Sequence, residues 1–303
     1  MTENMGNHLS FSGVGDNDVY NITAPFRMGN TTVIAGRVEK RTAWADSQTM
    51  FFQEENHKWK PIKDAPIFNL EDPFATKIRG ELIFGGVSVT KEVVFIGPPV
   101  MFDPLTETRL TWNTVFYRGK DLKSLRQFAV GPKDMKDIRL TGLLNGNIGV
   151  FTRPQGGKNG RGQIGYIELP SLEDLTAENL LKARIIENQF TSEQWGSTNE
   201  FHLLNKLHPL RTSIGVLGHI ARFDLQGAKH YAAMAFTYTP ETHTATPIEI
   251  IARRRDFPMG NFKAPWLLDV VFPGGLIRNN GQATLYAGLS DAEAGSIDIP
   301  DPF

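Results

Sequence analysis

Short segments rich in β-branched and aromatic residues, separated by Gly, Pro or Asn, recur along the chain at 31–38, 81–89, 91–96, 111–117, 148–152, 163–169, 214–223, 230–238, 248–253 and 283–287. This pattern predicts strands throughout. One helical pattern begins near Ser171, where Ser171, Leu172, Glu173 and Asp174 supply capping chemistry and Leu175, Leu180 and Leu181 an apolar stripe. No apolar run approaches the roughly 18 to 20 residues needed for a membrane-spanning helix.

The strand pattern repeats. The pairs Gly29-Asn30, Arg79-Gly80, Asn145-Gly146, Arg211-Thr212 and Asn280-Gly281 each separate two extended segments, which gives five units. Units of about 50 to 70 residues with about four strands each predict an all-β, five-bladed β-propeller filling residues 1–303 as one catalytic domain. A two-domain β-sandwich fits the spacing less well. The run 156–162, with two cations among four glycines, reads as a loop within the third unit and not as a linker.

In a propeller the innermost strands face a common axis, so polar residues that recur on them converge. Seven residues beyond the second member of each turn pair stand Arg37, Val87, Arg153, His219 and Gly288. Polar clusters occupy 21–25, 71–73, 136–139, 199–200 and 269–273. Lys136, Arg139, Arg153 and His219, with Tyr231 as a hydroxyl donor, would form an anion pocket, because the guanidinium fork and the ammonium both suit phosphate. The structural alternative is that Arg139 and Arg153 pair with Asp137 and that His219 is a core residue.

Among the carboxylates Asp72 leads, followed by Glu71, Asp137, Glu200, Asp269 and Asp291. Pro73 follows Asp72 and restricts it to an extended conformation that would aim the acid, although Asp-Pro is also a common turn. A hydrolase needs a second carboxylate as base or nucleophile. A phosphorolytic enzyme does not, since phosphate arrives as a competent anion.

Composition narrows the partners. The chain has 303 residues, 40% hydrophobic and 21% charged, with 29 Gly and 18 Pro, the profile of a folded, turn-rich protein. Thirty-two basic against 33 acidic residues leave no field to draw it to nucleic acid or an anionic membrane. With no cysteine there is no disulfide, thiolate metal site or cysteine nucleophile. The first 17 residues lack signal-peptide features, so a cytoplasmic location is expected. His202, His208, His219, His230 and His243 lack zincin spacing, and 16–18 is too short for an EF-hand loop. No metal or organic cofactor is expected, and inorganic phosphate is the expected co-substrate. No nucleophile-elbow, phosphate-loop or dinucleotide motif is present. Trp44, Trp112 and Trp195 are candidates to stack on sugar rings.

The strings Asp18-Val-Tyr-Asn-Ile-Thr-Ala-Pro-Phe26, Glu71-Asp72-Pro73, Lys136-Asp137-Ile138-Arg139, Val150-Phe151-Thr152-Arg153-Pro154, Gly218-His219, Asp269-Val-Val-Phe-Pro-Gly274 and Tyr286-Ala-Gly-Leu-Ser-Asp291 resemble the β-mannoside phosphorylases of glycoside hydrolase family 130. They are more similar still to the mannosyltransferase-phosphorylase family, glycosyltransferase family 108, formerly a domain of unknown function. The resemblance spans nearly the whole chain. It implies Asp72 as proton donor acting through a sugar hydroxyl, and Arg153, His219, Lys136, Arg139 and Tyr231 as phosphate ligands. It also implies Asp291 as a sugar contact, and Asn21, Arg37, Asp137, Asn199 and Glu200 are grouped with it. Phe74 stands where the phosphorylases usually have arginine, which leaves acceptor specificity open. The implied activity is inverting transfer of mannose between β-linked, β-1,2 mannooligosaccharides and phosphate, with mannose 1-phosphate as product or donor. A homo-oligomer is compatible with this reading. A hydrolase on the same scaffold and a noncatalytic sugar-binding propeller remain as alternatives.

Overall fold

The computed structural model describes residues 5–95, 106–156, 161–187, 189–204 and 212–303. Ile96 of the expected strand 91–96, most of the loop 156–162 and Arg211 of the fourth turn lie outside the described residues. Strands dominate, as the sequence predicts. The first are β1 (Asn7–His8), β2 (Asp18–Tyr20), β3 (Phe26–Met28), β4 (Thr31–Glu39), β5 (Gln48–Glu55) and β6 (Lys58–Pro61). Next come β7 (Glu71–Ile78), β8 (Glu81–Phe95), β9 (Thr106–Gly119) and β10 (Arg126–Val130), then β11 (Arg139–Gly142), β12 (Ile148–Thr152), β13 (Gly165–Leu169) and β14 (Arg184–Ile185). The last are β15 (Trp195–Leu203), β16 (Ile214–Phe223), β17 (Lys229–Thr239), β18 (Thr244–Ala245), β19 (Glu249–Ala252), β20 (Asp269–Asn279), β21 (Gln282–Leu289) and β22 (Glu293–Pro300).

Among the described residues these strands form four hydrogen-bonded sheets. The first holds β2, β4, β5 and β6 with β3 against β4, the second β7 to β10, and the third β11 to β14. The fourth contains two antiparallel groups, β15 to β19 and β20 to β22 with β1. They are joined only where His230 and Tyr231 of β17 run parallel to Asp269 and Val270 of β20. The N-terminal β1 completes the C-terminal group by pairing Asn7 with Ser296 and His8 with Gly295, which ties the two ends of the chain together.

The hairpins follow from turn chemistry. Gly29, Gly80 and Gly281 adopt positive φ in tight two-residue hairpin turns, with Arg79 and Asn280 beside the latter two, and Gly146 does so in a three-residue loop closed by Leu143 and Asn147. The expected strands at 81–89 and 91–96 merge into β8, which pairs with β9 along its whole length. The helical pattern near Ser171 yields a 3-10 turn, Leu172–Asp174, and a single helical turn, α1 (Ala177–Leu180). The cap of α1 is Thr176, whose Oγ1 accepts the Asn179 N–H at 3.2 Å, while Ser171 caps nothing and donates to Asp174 instead. No helix among the described residues is long and apolar enough to cross a membrane.

The core lies between neighbouring sheets. Val33, Phe51, Leu82 and Phe84 pack between the first two, and Ile83, Phe116, Ile138, Leu140 and Val150 between the second and third. Full burial of such side chains contributes about 1.5 to 3 kcal/mol each. This packing fixes the starts of β7 and β11 and the ends of β4, β12 and β16, which carry the polar residues described next.

Candidate active site

Four polar residues at the sheet ends have left-handed backbone: Asn21 (φ 43°), Asp72 (φ 49°), Asp137 (φ 58°) and Asp291 (φ 50°). Asn and Asp tolerate this region best, yet such residues persist only where the surroundings impose the conformation, and they cluster at functional sites. At Asp72 the cause is visible. The pairing of β7 with β8 shifts between Glu71 and Phe74, a bulge that takes Asp72 and Pro73 out of the ladder. The extended conformation expected from Pro73 is therefore wrong: the proline disfavours the right-handed helical region, and the bulge turns Asp72 into the left-handed one.

Asp72 is buried and bonded on one side. Its Oδ1 accepts from Asn21 Nδ2 at 2.7 Å and from Arg37 Nη1 at 3.3 Å. Arg37 also donates to Glu71 Oε1 (2.9 Å), Glu39 Oε2 (3.2 Å) and Ser47 Oγ (2.8 Å). Glu39 further accepts from the Tyr20 hydroxyl at 2.6 Å and from Lys263 Nζ. Burial opposes ionisation of Glu39, but Arg37 and the donors from Lys263 and Tyr20 hold its carboxyl down at about 2. Glu71 shifts the other way, raised by burial and by the charge of Asp72 against the pull of Arg37.

The cations gather on a second carboxylate. Arg153 Nη1 donates to Asp137 Oδ2 at 3.0 Å and its Nε to the Gly196 carbonyl at 3.2 Å. Burial pushes the Asp137 carboxyl up, yet Arg153, Lys136 and Arg139 together bring it down to about 2. The expected alternative pairing of Arg153 with Asp137 is thus real, and it leaves Arg153 at the cavity wall. His219 is buried, stacks on Tyr231 (5.2 Å, 5°), and faces Asn199 Oδ1 through Nδ1 at 3.1 Å. Burial, reinforced by Arg153 and Lys136 against the attraction of Asp137, lowers its pKa to about 3, so the ring is neutral at pH 7. With Nδ1 donating to Asn199, Nε2 is left as an acceptor.

These groups meet in one central cavity of about 90 Å³. Its walls include Asn21, Arg37, Asp72, Lys136, Asp137, Arg153, His219, Tyr231 and Asp291. Lys229, Leu267, Val270 and Phe272, which the sequence reasoning did not single out, complete it. Lys229 was findable two residues before Tyr231 on the same strand face, whereas the three apolar residues carry no such signal. Asp291 is raised by burial, with Arg37 opposing and Asp72 adding to the rise.

Five candidate site residues do not line the cavity: Arg139, Asn199 and Glu200, and the carboxylates Glu71, bonded to Arg37, and Asp269, which meets His230 Nδ1 at 2.6 Å. Arg139 lies behind it, donating to the Asp72 carbonyl at 3.3 Å with its guanidinium 4.6 Å from the Phe74 ring centroid. Phe74, which replaces the arginine usual after Asp-Pro, is thus the surface on which Arg139 rests. Asn199 sits behind His219. Glu200 points to β20, accepting the Leu276 N–H at 2.6 Å and meeting His202 Nε2 at 2.8 Å.

A larger outer cavity of about 520 Å³ adjoins the central one and shares Lys136, Arg153, Lys229 and Tyr231 with it. Trp112, Gln155, Arg161, Trp195 and Phe223 form the rest of its wall, with Arg161 4.5 Å from the ring centroids of both Trp195 and Phe223. Among the described residues no cluster of three or more metal-ligating side chains occurs.

Residues 2–303 match the family described as a protein of unknown function, DUF1861. A mannose phosphorylase from Leishmania mexicana, MPT-4, solved with a phosphate ion, is 34% identical (98% of this chain, 88% of that one, TM-score 0.85). A GDP-Man-dependent mannosyltransferase from the same organism, MPT-1, is 33% identical (100% and 92%, TM-score 0.84). A β-1,2-mannobiose phosphorylase from Listeria innocua shares the fold at 13% identity (94% and 91%, TM-score 0.64). No curated protein sequence matches the chain.

Proposed function

The chain belongs to the DUF1861 family, and to the same family as the Leishmania mannosyltransferase and mannose phosphorylase, and we propose that it is an inverting mannoside phosphorylase. It would act on β-linked, β-1,2 mannooligosaccharides with inorganic phosphate as co-substrate, need no organic cofactor, and form or consume mannose 1-phosphate. The fold would be a single five-bladed propeller, in which the nine-stranded sheet counts as two blades meeting at the short parallel bridge between β17 and β20.

One observation carries this reading. Asp72 shares a cavity with Lys136, Arg153 and His219, which sets an acid beside a cluster suited to an anion. Of the other carboxylates on the wall, Asp137 is bonded to Arg153 and Asp291 is raised by burial, while Glu71 lies outside the wall and is bonded to Arg37. A hydrolase needs one carboxylate free to activate water or attack carbon. A phosphorolytic site needs only an acid and an anion pocket.

The chemistry follows from the bonding of Asp72. Asn21 and Arg37 occupy Oδ1, so the transferable proton resides on Oδ2. In phosphorolysis Oδ2 supplies that proton to the departing glycosidic oxygen, with a sugar hydroxyl as relay in the reading the family resemblance suggests. As the C–O bond breaks, a phosphate oxygen attacks the anomeric carbon from the opposite face. A β-mannoside thereby becomes α-mannose 1-phosphate and the shortened sugar. Lys136 and Arg153 offset the phosphate charge, and the His219 Nε2 acceptor suits the O–H of hydrogen phosphate. Tyr231 holds the His219 ring by stacking. Synthesis is the reverse.

Incubation with mannose 1-phosphate and mannose tests the reading. Release of inorganic phosphate with a matching amount of a new disaccharide is expected. Neither product appearing would refute it.

A further inference from the structure

Two tryptophans outside both cavities stand half-exposed near the central one. Trp44, in the loop after β4, and Trp266, in the 3-10 turn Pro265–Leu267 before β20, stack with ring centroids 6.2 Å apart and planes 13° from parallel. They are 54% and 50% exposed. Indoles carry the largest apolar surface of any side chain and normally bury most of it, so a paired, solvent-facing arrangement marks a binding surface.

A chain of contacts links the pair to the acid. Lys263 Nζ lies 4.8 Å from the Trp44 ring centroid. The same ammonium donates to Glu39 and to the Tyr20 hydroxyl, Glu39 accepts from Arg37, and Arg37 donates to Asp72. Leu267, adjacent to Trp266, is part of the central cavity wall, so Trp266 stands one residue from that wall.

The side of the cavity decides what the pair binds. The departing glycosidic oxygen must lie at Asp72, and phosphate must lie opposite, toward Lys136 and Arg153. The outer cavity with Trp112 and Trp195 continues from the cationic end, because Lys136, Arg153 and Lys229, with Tyr231, are what it shares. Trp44 and Trp266 instead join the acid end through Arg37 and Glu39. The ligand at that end is the sugar chain that leaves in phosphorolysis and accepts mannose in synthesis. A pyranose offers an apolar C–H face that fits a flat indole, and a neutral sugar needs no cation.

We propose that the Trp44–Trp266 shelf is a subsite for a pyranose ring of the acceptor chain, beyond the ring bonded to the transferred mannose, and that it sets the preference for acceptor length. This rests on the phosphorylase reading above.

The test compares Trp266→Ala, Trp266→Phe and wild type as full chains, with mannose 1-phosphate as donor and either mannose or a β-linked mannotriose as acceptor. In Trp266→Ala the KM for mannotriose rises about fivefold to tenfold, about 1 to 1.4 kcal/mol. The KM for mannose, the KM for mannose 1-phosphate and kcat stay within about twofold, a margin well below 1 kcal/mol, and Trp266→Phe restores most of the loss. An equal change for both acceptors, or none for either, overturns the proposal. So does a change in sedimentation mass, which would make the shelf a contact between copies. Indole fluorescence reports independently of turnover: mannotriose perturbs it in wild type and does so less in Trp266→Ala. If turnover with mannose is present but mannotriose leaves the fluorescence unchanged, the shelf assignment fails while the phosphorylase reading stands. If fluorescence responds and no turnover occurs with either acceptor, the reverse holds.

Discussion

Asn21 Nδ2 donates to Asp72 Oδ1 across 2.7 Å, and both residues hold left-handed backbone to do so. Two distant positions are therefore bent toward each other so that an amide fixes one oxygen of the proposed acid. Replacing Asp72 by Asn keeps the shape but removes the proton. Turnover is expected to fall by about 10² to 10⁴, the usual worth of a positioned general acid, with the thermal unfolding midpoint little changed. Initial rates beside a melting curve check this, and a variant retaining a tenth or more of wild-type turnover would remove Asp72 from the mechanism.

Gly288 supports that contact from behind. A Cβ there would collide with the Asn21 side-chain oxygen and backbone nitrogen, so no other residue fits while Asn21 keeps its position. Gly288→Ala should destabilise the protein by about 1 to 3 kcal/mol, as overpacking does. It should also lower kcat by at least tenfold, because Asn21 must move from Asp72. Urea unfolding and kinetics on the same preparation measure both, and normal kcat in a destabilised variant would separate Asn21 from the chemistry.

Arg153 is bonded to Asp137 and is proposed to hold phosphate as well. Its replacement by Ala leaves a buried carboxylate short of one donor, although Lys136 and Arg139 still face it, so a loss of about 1 to 3 kcal/mol of stability is expected. The KM for phosphate should rise about tenfold or more, since a charge-assisted bond to the anion is lost. The KM for the mannoside should change much less. Equal effects on the two substrates would assign Arg153 to structure alone.

Acid stability offers a check on His219. The folded protein holds the ring neutral down to about 3, whereas the unfolded chain takes up a proton below about 6.5. Between those values the unfolded state binds more protons, so stability is full above the window and is lost as pH falls through it. Asp137 adds to the loss further down, below the ordinary aspartate range toward its own value of about 2. His219→Asn should remove about one proton of this dependence, about 1.4 kcal/mol per pH unit between pH 4 and 6. Unfolding titrations at several pH values compare the slopes, and identical slopes would mean that His219 is not held neutral.

The glycine-containing turn pairs and the register seven residues beyond them were legible in the sequence because such turns need glycine or asparagine at positive φ, and that count reaches Arg37 and Arg153 of the cavity wall, whereas His219 follows a pair, Arg211-Thr212, without that signal. The same count gives Val87, which pairs with Glu71, and Gly288, which makes room for Asn21. What the sequence hid were interactions set by packing between distant strands. Nothing in the local pattern says that Arg139 turns behind Asp72 onto Phe74, or that Glu200 reaches the backbone of Leu276 instead of the cavity. The left-handed conformation of Asp72 was concealed by its proline, which argues locally for extension, while the bulge opposite β8 decides otherwise. Trp266 and Trp44 lie too far apart in the chain for any pattern to pair them.

The central claim is that phosphate, and not water, is the partner of Asp72. It is tested most directly by incubating the protein with β-1,2-mannobiose in the presence and absence of inorganic phosphate and identifying the sugar products. The account predicts mannose 1-phosphate and mannose in equal amounts with phosphate, and no turnover without it. Mannose alone, released at the same rate in both conditions, would contradict it.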